Sequence, residues 1–488
     1  MTDRPNILFI FPDQWRGDGL SAVGNPDVDT PNLDELASRG TLFTRAYTPC
    51  PSCIAARASL LTGLTPHRAG RLGYRDKVPW QYAQTYPRLL RDAGYQTLCA
   101  GKTHFYPQRA HLGFEQIELY DTQKLDADFQ SDYHRFLRDR TAGLVVDTAE
   151  QMNSNSWHAV PWTHDIALHP STWTTDRAID LLRRRDPTRP FLLQVNYHRP
   201  HPPLDPPMVW FDRYRERPMR PVPVGDWAGE FARPAVGLQP CVGYLPEHLA
   251  LLARRAYFAQ LAHLDFEIGR LIYFLRTQTS ALDNTLIVFS SDHGELLGDH
   301  HTWRKFNALE GSARVPLIVT MPSSSSQARG RTNDTPVTLI DLMPTLLEAA
   351  GQIAPNPLDG QSLLPALRDE PLPERQYVHG EHAGNHFGGG GWQYLVDRQH
   401  KYAWQTTSGR ELLFDLIHDP DERHDLTPDP DARPALETMR RRLIEILQNR
   451  SDQALTDGIC LIPGTQLPAT RPWASTGLTP AHASPRSS

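Results

Sequence analysis

The chain of 488 residues is long enough for two or three domains, or for one large α/β domain with an appendage. Apolar residues make up 39% of it and charged residues 22%, which is typical of a soluble globular protein. The net charge of -6 excludes a general affinity for nucleic acid or for an anionic membrane, so any bound anion needs a local site.

Short apolar runs predict the strands of a buried, mostly parallel sheet. They lie at residues 6–11, 95–100, 191–197, 285–290 and 315–321. Helical patterns separate them. One helix is predicted from Thr30, its N-cap, to Gly40, and another from Thr335, with Pro336 in its first turn, to Gly351. This alternation predicts an α/β sandwich with the sheet between helices.

The pattern changes after residue 372. Residues 388–416 are typical of an antiparallel meander, and residues 431–448 of a helix. We therefore predict a first domain over 1–372, a smaller α+β subdomain over 373–460 and a loosely held Pro/Ser/Thr-rich tail over 461–488.

No apolar run is long enough to predict a membrane span. The first predicted strand begins within the first ten residues, which leaves no room for a leader in the sequence as written. We therefore expect a cytoplasmic protein, or a periplasmic or secreted one if a leader has been removed.

Polar side chains follow four of the predicted strands directly. They are Asp13 and Gln14, then Lys102 and His104, then His198 and His201, and finally Asp292 and His293. Asp and Gly at a strand end are ordinary turn formers, so any single cluster is weak evidence. Ligand sites of open α/β sheets lie beyond the carboxyl ends of the strands, so four clusters together predict one shared crevice.

The chemistry of this predicted crevice suits a metal ion and an oxyanion. The two carboxylates and Gln14 offer oxygen ligands and His293 a nitrogen ligand, a set that suits a divalent cation. Lys102, together with Lys305 further along the chain, adds positive charge. A metal with lysines favours a tetrahedral oxyanion, sulfate or phosphate, whose transfer needs charge neutralisation. Lys305 taken alone is more typical of a solvated surface.

A Cys-x-x-Cys stretch opens a further predicted helix. Cys50 and Cys53 could form a redox pair or half of a zinc site, but no second pair follows, and Thr48, Pro49 and Pro51 predict a loop where a redox motif needs a strand. Ser52 is a suitable N-cap, so Cys53 would lie in the first turn, where free N–H groups favour an anionic ligand or nucleophile. Arg57 lies one turn on, on the same face. An ordinary cysteine of lowered pKa remains the plainer interpretation.

The same residues carry a resemblance that covers nearly the whole chain. Cys53-Ile54-Ala55-Ala56-Arg57, followed by LLTG, is similar to the Cys-x-Pro-Ser-Arg signature of type I sulfatases of the alkaline phosphatase superfamily. Alanine stands here at both the Pro and the Ser position. Further similar blocks, in the family's order, are PNILFIFPDQ, TPNLDELASRG, AGKTHF, HRPHPP, SSDHGELLGDH, FNALEGSARVPLIV and DLMPTLLEAAG.

The resemblance implies a fold, a cofactor and a modification. The fold would be alkaline-phosphatase-like, with residues 1–372 as the catalytic domain. Asp13, Gln14, Asp292 and His293 match the metal ligands, joined by an oxygen of modified Cys53. The metal would be Ca²⁺, with Mn²⁺ or Mg²⁺ open because of the histidine. A formylglycine-generating enzyme would convert Cys53 into formylglycine, an aldehyde stored as its hydrate.

It also implies a sulfate monoester hydrolase and roles for single residues. One hydrate oxygen at position 53 would attack sulfur, with Arg57 holding the hydrate and Lys102 and Lys305 binding the sulfate. His201 would protonate the leaving alcohol. His104 would take the proton from the second hydroxyl, so that sulfate leaves and the aldehyde returns. The substrate would be a small-molecule or glycan sulfate; choline, aryl and glycan esters all remain open.

Two rival functions use the same residues. A phosphonate or phosphate monoester hydrolase on this scaffold would carry neutral Tyr and Thr in place of Lys102 and His104, so their presence favours sulfate. A non-catalytic binder of sulfated glycans would have lost the nucleophile or a ligand, whereas all are present. His198 could simply pack or hydrogen-bond a loop. His300 and His301 follow Asp299, which suggests a solvated loop.

Overall fold

Two β-sheets organise the chain in the computed structural model, which describes residues 4–122, 129–148, 155–279, 281–323, 330–384, 390–450 and 454–475. The strands are β1 Asn6–Ile10, β2 Thr41–Tyr47, β3 Gln96–Gly101, β4 Gln116–Leu119, β5 Phe191–Asn196, β6 Thr285–Ser290, β7 Arg314–Thr320, β8 Arg331–Asn333, β9 Val337–Thr338, β10 Val378–His382, β11 Trp392–Val396, β12 His400–Gln405 and β13 Glu411–Asp415. The helices are α1 Pro31–Arg39, α2 Cys53–Thr62, α3 Pro66–Ala69, α4 Tyr86–Asp92, α5 Asp132–Thr141, α6 Pro170–Arg184, α7 Met208–Tyr214, α8 Glu247–Gln278, α9 Glu310–Ala313, α10 Leu342–Ala349, α11 Leu364–Leu367 and α12 Arg433–Gln448. Within these described ranges, no helix combines the length and the apolar character that a bilayer span requires.

The large sheet has nine strands and is mostly parallel, as predicted. Its order is β4-β3-β5-β1-β6-β7-β2-β8, with β9 also paired to β2. The expectation that residues 315–321 form a parallel strand is wrong, because β7 runs antiparallel to both β6 and β2. Between β6 and β7 lie only a 3-10 turn over Asp299–His301 and the four-residue α9, so there is no long helical crossover of the kind that returns a chain parallel.

The large sheet is covered by helices on both faces. Leu8 and Ile10 of β1 join one apolar core, together with residues of α1, α6 and α8. Ile7 and Phe9, the alternate residues, join the other core with α2, α4 and α10. Side chains of a strand alternate between the two faces, and both faces of β1 are buried, which explains its continuous apolar run.

Of two predicted helix starts, the one at Thr30 is confirmed in position and the one at Thr335 differs from the structure. Thr30 precedes α1, but its hydroxyl group caps no helical N–H and instead bonds the hydroxyl of Ser21 at 2.9 Å. The helix predicted from Thr335 begins only at α10, after a 3-10 turn over residues 339–341. Val337 and Thr338 are held extended by pairing with β2, and this pairing delays the helix.

The C-terminal region contains the predicted meander and helix. Strands β10 to β13 form a four-stranded antiparallel sheet against which α12 packs. The expectation of a loosely held tail is wrong for part of it: Leu72 N–H donates to the carbonyl of Ala469, and Arg471 N–H to that of Gly70, both at 2.8 Å. The boundary at residue 372 stays a prediction, and residues 476–488 lie outside the described ranges.

Candidate active site

The carboxyl ends of β3, β5, β1 and β6 lie side by side and bring their polar residues together. Lys102 Nζ is 2.7 Å from Asp13 Oδ2. The backbone N–H of His201 donates to the carbonyl of Asp13 at 3.1 Å, and that of Gln14 to Asp292 Oδ1 at 3.0 Å. The strand-end clusters named from the sequence therefore share one buried crevice.

Four potential metal ligands meet at the floor of this crevice. Ligand atoms of Asp13, Cys53, Asp292 and His293 lie within 4.8 Å of one another, and all four residues are buried. Nδ1 of His293 lies 2.9 Å from the carbonyl of Gly294, to which it donates when it carries the proton. The lone pair of Nε2 then faces the cluster, 3.2 Å from Cys53 Sγ. Two carboxylates and a ring nitrogen aimed at one point fit a divalent cation.

Lys305 belongs to the same cluster. Its Nζ donates to Gln14 Oε1 at 2.7 Å and lies 3.0 Å from Cys53 Sγ. The residue is 4% exposed, so the alternative of a solvated surface lysine is wrong. Gln14 itself has a left-handed backbone, with φ of 69°, a conformation that is uncommon for a non-glycine residue.

Helix α2 presents Cys53 and Arg57 to the cluster. Ser52 is the N-cap of the helix, as predicted, and is extended, but its hydroxyl makes no capping bond and has no partner in the described structure. Cys53 is the first helical residue, where free N–H groups and the helix dipole favour negative charge. Arg57 Nε donates to Asp292 Oδ2 at 3.0 Å, and its Nη2 to Asp13 Oδ2 at 3.3 Å.

Burial and neighbouring charges set the ionisation of this cluster. Burial opposes ionisation of Asp13, but Lys102 and the other cations around it hold the pKa of its carboxyl well below the usual range. Burial, reinforced by the negative charge of Asp13, raises the pKa of the Cys53 thiol. An unmodified Cys53 is therefore a protonated thiol, which argues against the interpretation as an ordinary cysteine of lowered pKa.

Two neutral histidines flank the cluster. Burial first, and then Lys102 for His104 and Lys305 for His201, hold the pKa of both rings well below the usual range. His201 Nδ1 lies 2.8 Å from the carbonyl of Pro202, an acceptor that keeps a proton on Nδ1. Nδ1 of His104 is buried and has no hydrogen-bond partner among the described residues.

The other histidines named from the sequence make structural contacts. His198 Nδ1 is 2.8 Å from Arg199 Nη1 and its Nε2 is 3.3 Å from Thr122 Oγ1, so it bonds the surrounding loops. The expectation of a solvated loop around Asp299 and His300 is wrong. His300 is 2% exposed, and Asp299 Oδ2 pairs with Arg16 Nη2 at 2.8 Å.

Sequence reasoning missed Glu295. This buried residue accepts a hydrogen bond from Gln14 Nε2. It stands two positions after His293, where a Glu is easily taken for a turn residue. A charged residue in a stretch that must be buried beside the predicted crevice is the sequence feature that could have identified it. Nothing in the described structure supports the redox or zinc interpretation: the described cysteines are all free, and Cys50 Sγ bonds the Leu72 carbonyl, at 3.6 Å.

Comparison with known proteins supplies the context for this geometry. A family model described as Sulfatase matches residues 5–352, and one described as N-sulphoglucosamine sulphohydrolase, C-terminal, matches residues 298–449. An arylsulfatase of Clostridium perfringens is 38% identical over 94% of this chain and 98% of its own length. A choline-sulfatase of Rhizobium meliloti is 31% identical over 88% of this chain and 83% of its own length. The solved phosphonate monoester hydrolase of Agrobacterium radiobacter is 27% identical, with a TM-score of 0.75 over 91% of this chain and 95% of that one.

Proposed function

The chain belongs to the sulfatase family and hydrolyses sulfate esters, and we propose that it does so through a formylglycine at position 53 and one bound divalent metal ion. The position of Cys53 carries this proposal. Its Sγ, at the start of α2, lies 3.0 Å from Lys305 Nζ and 3.2 Å from His293 Nε2, inside a ring of carboxylates and cations. No other described cysteine has such surroundings.

The side chains around position 53 offer the kinds of ligand atom that a divalent metal ion binds. Asp13, Gln14, Asp292 and His293 would hold it, with an oxygen of modified residue 53. When bound, the ion would neutralise charge on the sulfate oxygens, and the aldehyde hydrate would supply the attacking oxygen. Oxygen donors dominate the set, which favours Ca²⁺; the histidine keeps Mn²⁺ and Mg²⁺ as alternatives.

The remaining side chains would neutralise the charge of the sulfate group or transfer protons. Lys102 and Lys305 both follow Cys53 in the chain, on separate loops, and would both face the sulfate group, offsetting its negative charge. Arg57 orients the carboxylates of the metal site. His201 would protonate the leaving oxygen from Nε2. Because its Nδ1 proton is held by a carbonyl, the ring must first take up a second proton at Nε2, which the negative charge of a bound sulfate ester favours. Neutral His104 can accept a proton from position 53.

An aryl sulfate is the substrate class to test first. The relative with 38% identity is named as an arylsulfatase, and the choline-sulfatase at 31% keeps choline sulfate as the second class. The neighbouring phosphonate monoester hydrolase structure makes phosphonate esters the alternative chemistry. Lys102 and His104 stand where a phosphonate hydrolase on this scaffold would carry Tyr and Thr, and this supports sulfate over phosphonate. A formylglycine-generating enzyme is the maturation partner that this proposal requires.

Two measurements on one preparation test the proposal. Mass spectrometry of the tryptic peptide 46–57, from a host with a maturation enzyme, is expected to give the mass of the aldehyde or its hydrate at position 53. The same protein should hydrolyse nitrophenyl sulfate faster than a phenyl phosphonate ester. An active enzyme in which Cys53 is unmodified would contradict the proposal that position 53 is a formylglycine. A preference for the phosphonate overturns the assigned chemistry.

A further inference from the structure

We infer that Glu295 is a positioning residue that fixes which end of the Gln14 amide faces the metal site, and that it also anchors the loop carrying Lys305. This inference rests on the proposed function, since it concerns the proposed metal ligand Gln14. Glu295 is 3% exposed and lies beyond the end of β6, two residues after His293. It touches neither the proposed metal nor the nucleophile directly.

The amide of Gln14 is held between two groups of opposite bonding character. Its Nε2 donates to Glu295 Oε2, and its Oε1 accepts from Lys305 Nζ at 2.7 Å. An ionised carboxylate can only accept a hydrogen bond and an ammonium group can only donate one. The orientation of the amide is therefore fixed chemically: nitrogen toward Glu295, oxygen toward Lys305 and the ligand cluster.

The second oxygen of Glu295 holds the loop. Oε1 accepts from the backbone N–H of Leu297 at 2.9 Å and from that of Arg304 at 2.6 Å. Arg304 and Phe306 both have left-handed backbones, with φ of 71° and 82°, a conformation that non-glycine residues adopt only when it is held in place. These two residues flank Lys305. One carboxylate thus orients a metal ligand and the segment that presents a catalytic lysine.

A carboxylate is required at position 295 because only N–H donors converge on it. In Glu295→Gln, one side-chain atom must become an NH₂ group. If the oxygen stays with the two backbone donors, the NH₂ group meets Gln14 Nε2, and two donors oppose each other. Gln14 is then expected to rotate its amide, so that NH₂ rather than oxygen faces the metal site and Lys305.

The test measures the affinity for Mn²⁺ by calorimetry and by the electron paramagnetic resonance signal of free Mn²⁺. Glu295→Gln is expected to weaken binding about 10- to 100-fold, as loss of partners behind a metal ligand commonly does. The double variant Gln14→Glu with Glu295→Gln is the matched control. Its carboxylate at position 14 accepts from the new amide and offers oxygen to the metal, so most of the affinity should return.

Each outcome is decisive. Mn²⁺ affinity unchanged in Glu295→Gln overturns the inference, and so does a double variant that binds no better than the single one. If Glu295 only kept the fold intact, the added Gln14→Glu change would not restore the Mn²⁺ affinity that Glu295→Gln loses. A wild-type protein that binds no Mn²⁺ and no Ca²⁺ overturns the proposed metal site itself, and this inference with it. Thermal unfolding of the metal-free proteins accompanies each titration.

Discussion

Two buried clusters of charge lie in this molecule, and they are built differently. The catalytic cluster comprises Asp13, Cys53, Arg57, Lys102, Asp292, His293 and Lys305. The docking cluster comprises Glu310, Lys401 and Glu422, where the C-terminal sheet meets α9. In it, Lys401 Nζ lies 2.9 Å from Glu310 Oε1 and 3.0 Å from Glu422 Oε1, and the lysine is 0% exposed.

The difference lies in how the charges are used. In the docking cluster one lysine lies between two carboxyl groups, and the backbone N–H of Glu310 also donates to Glu422 Oε2 at 2.7 Å. In the catalytic cluster, cations and carboxylates from five chain segments converge on Cys53, and Nδ1 of nearby His104 has no hydrogen-bond partner within the described part of the chain. A buried charge that is neutralised by a neighbouring side chain stabilises the packing of two segments. Several charges and potential metal ligands that converge on one point indicate a binding or catalytic site.

The largest expected effect comes from removing the proposed nucleophile. Cys53→Ala should lower kcat/KM for an aryl sulfate by at least about 10⁴-fold, since no other group can supply the attacking oxygen. Cys50→Ala is the matched control: it is equally buried, three residues away and outside the catalytic cluster. Steady-state kinetics on both variants make the comparison. Comparable losses in the two would mean that the region needs intact packing rather than a particular nucleophile.

A smaller and more selective effect is expected at His201. Because its Nε2 is proposed to protonate the leaving oxygen, His201→Ala should cost about 10²- to 10⁴-fold in kcat/KM for alkyl sulfates. For nitrophenyl sulfate, whose leaving group is stable as an anion, the loss should be under about tenfold. A series of sulfate esters with graded leaving-group pKa measures this difference. A uniform loss across the series would assign His201 to sulfate binding instead.

The docking cluster should respond in stability rather than in chemistry. Lys401→Met leaves the Glu310 carboxylate, and above about pH 7 that of Glu422 as well, buried without its cation, a change that typically costs about 3–5 kcal/mol. Arg440→Met is the control, because Arg440 pairs with Glu411 at 2.7 Å near the surface, where such pairs contribute under about 1 kcal/mol. Thermal unfolding measures both. An unchanged unfolding temperature with weakened Mn²⁺ binding in Lys401→Met would reverse the assignment of the two clusters.

The catalytic cluster could be largely predicted from the sequence because strand ends of a parallel sheet must meet. Asp13, Lys102, His201 and Asp292 each follow an apolar run directly, so their proximity required only the order of secondary structure. The resemblance to sulfatases added position 53. Roles for the individual residues stay predictions.

The rest could not be predicted because it depends on tertiary partners. Lys401 and Glu422 look like ordinary surface residues until the C-terminal sheet packs against α9. Glu295 has no visible role until Gln14 turns its amide toward it. The late start of α10 follows from pairing of residues 337–338 with β2, a strand that the mixed pattern of residues 41–47 concealed.

The smallest expected effect is a pH dependence of stability that has opposite signs at two buried glutamates. Burial, together with the Glu310 carboxylate and despite Lys401, raises the pKa of Glu422 to about 7. Between the unfolded value of about 4.3 and pH 7, the folded protein therefore holds a proton that the unfolded chain has lost. The contribution of Glu422 to stability falls as the pH rises through this window.

Glu422→Gln, which mimics the protonated acid, should flatten this dependence and raise the free energy of unfolding by about 1 kcal/mol at pH 8, with no gain at pH 4. Glu381→Gln is the control of opposite sign. Burial opposes ionisation of Glu381, but Arg450 and nearby histidines lower its pKa to about 2, so its carboxylate stabilises the fold above about pH 4 and loses that contribution toward pH 2. Its amide variant should therefore lose stability at pH 8. Denaturant unfolding from pH 4 to 8 measures both, and parallel curves for the two variants would contradict the assigned protonation of Glu422.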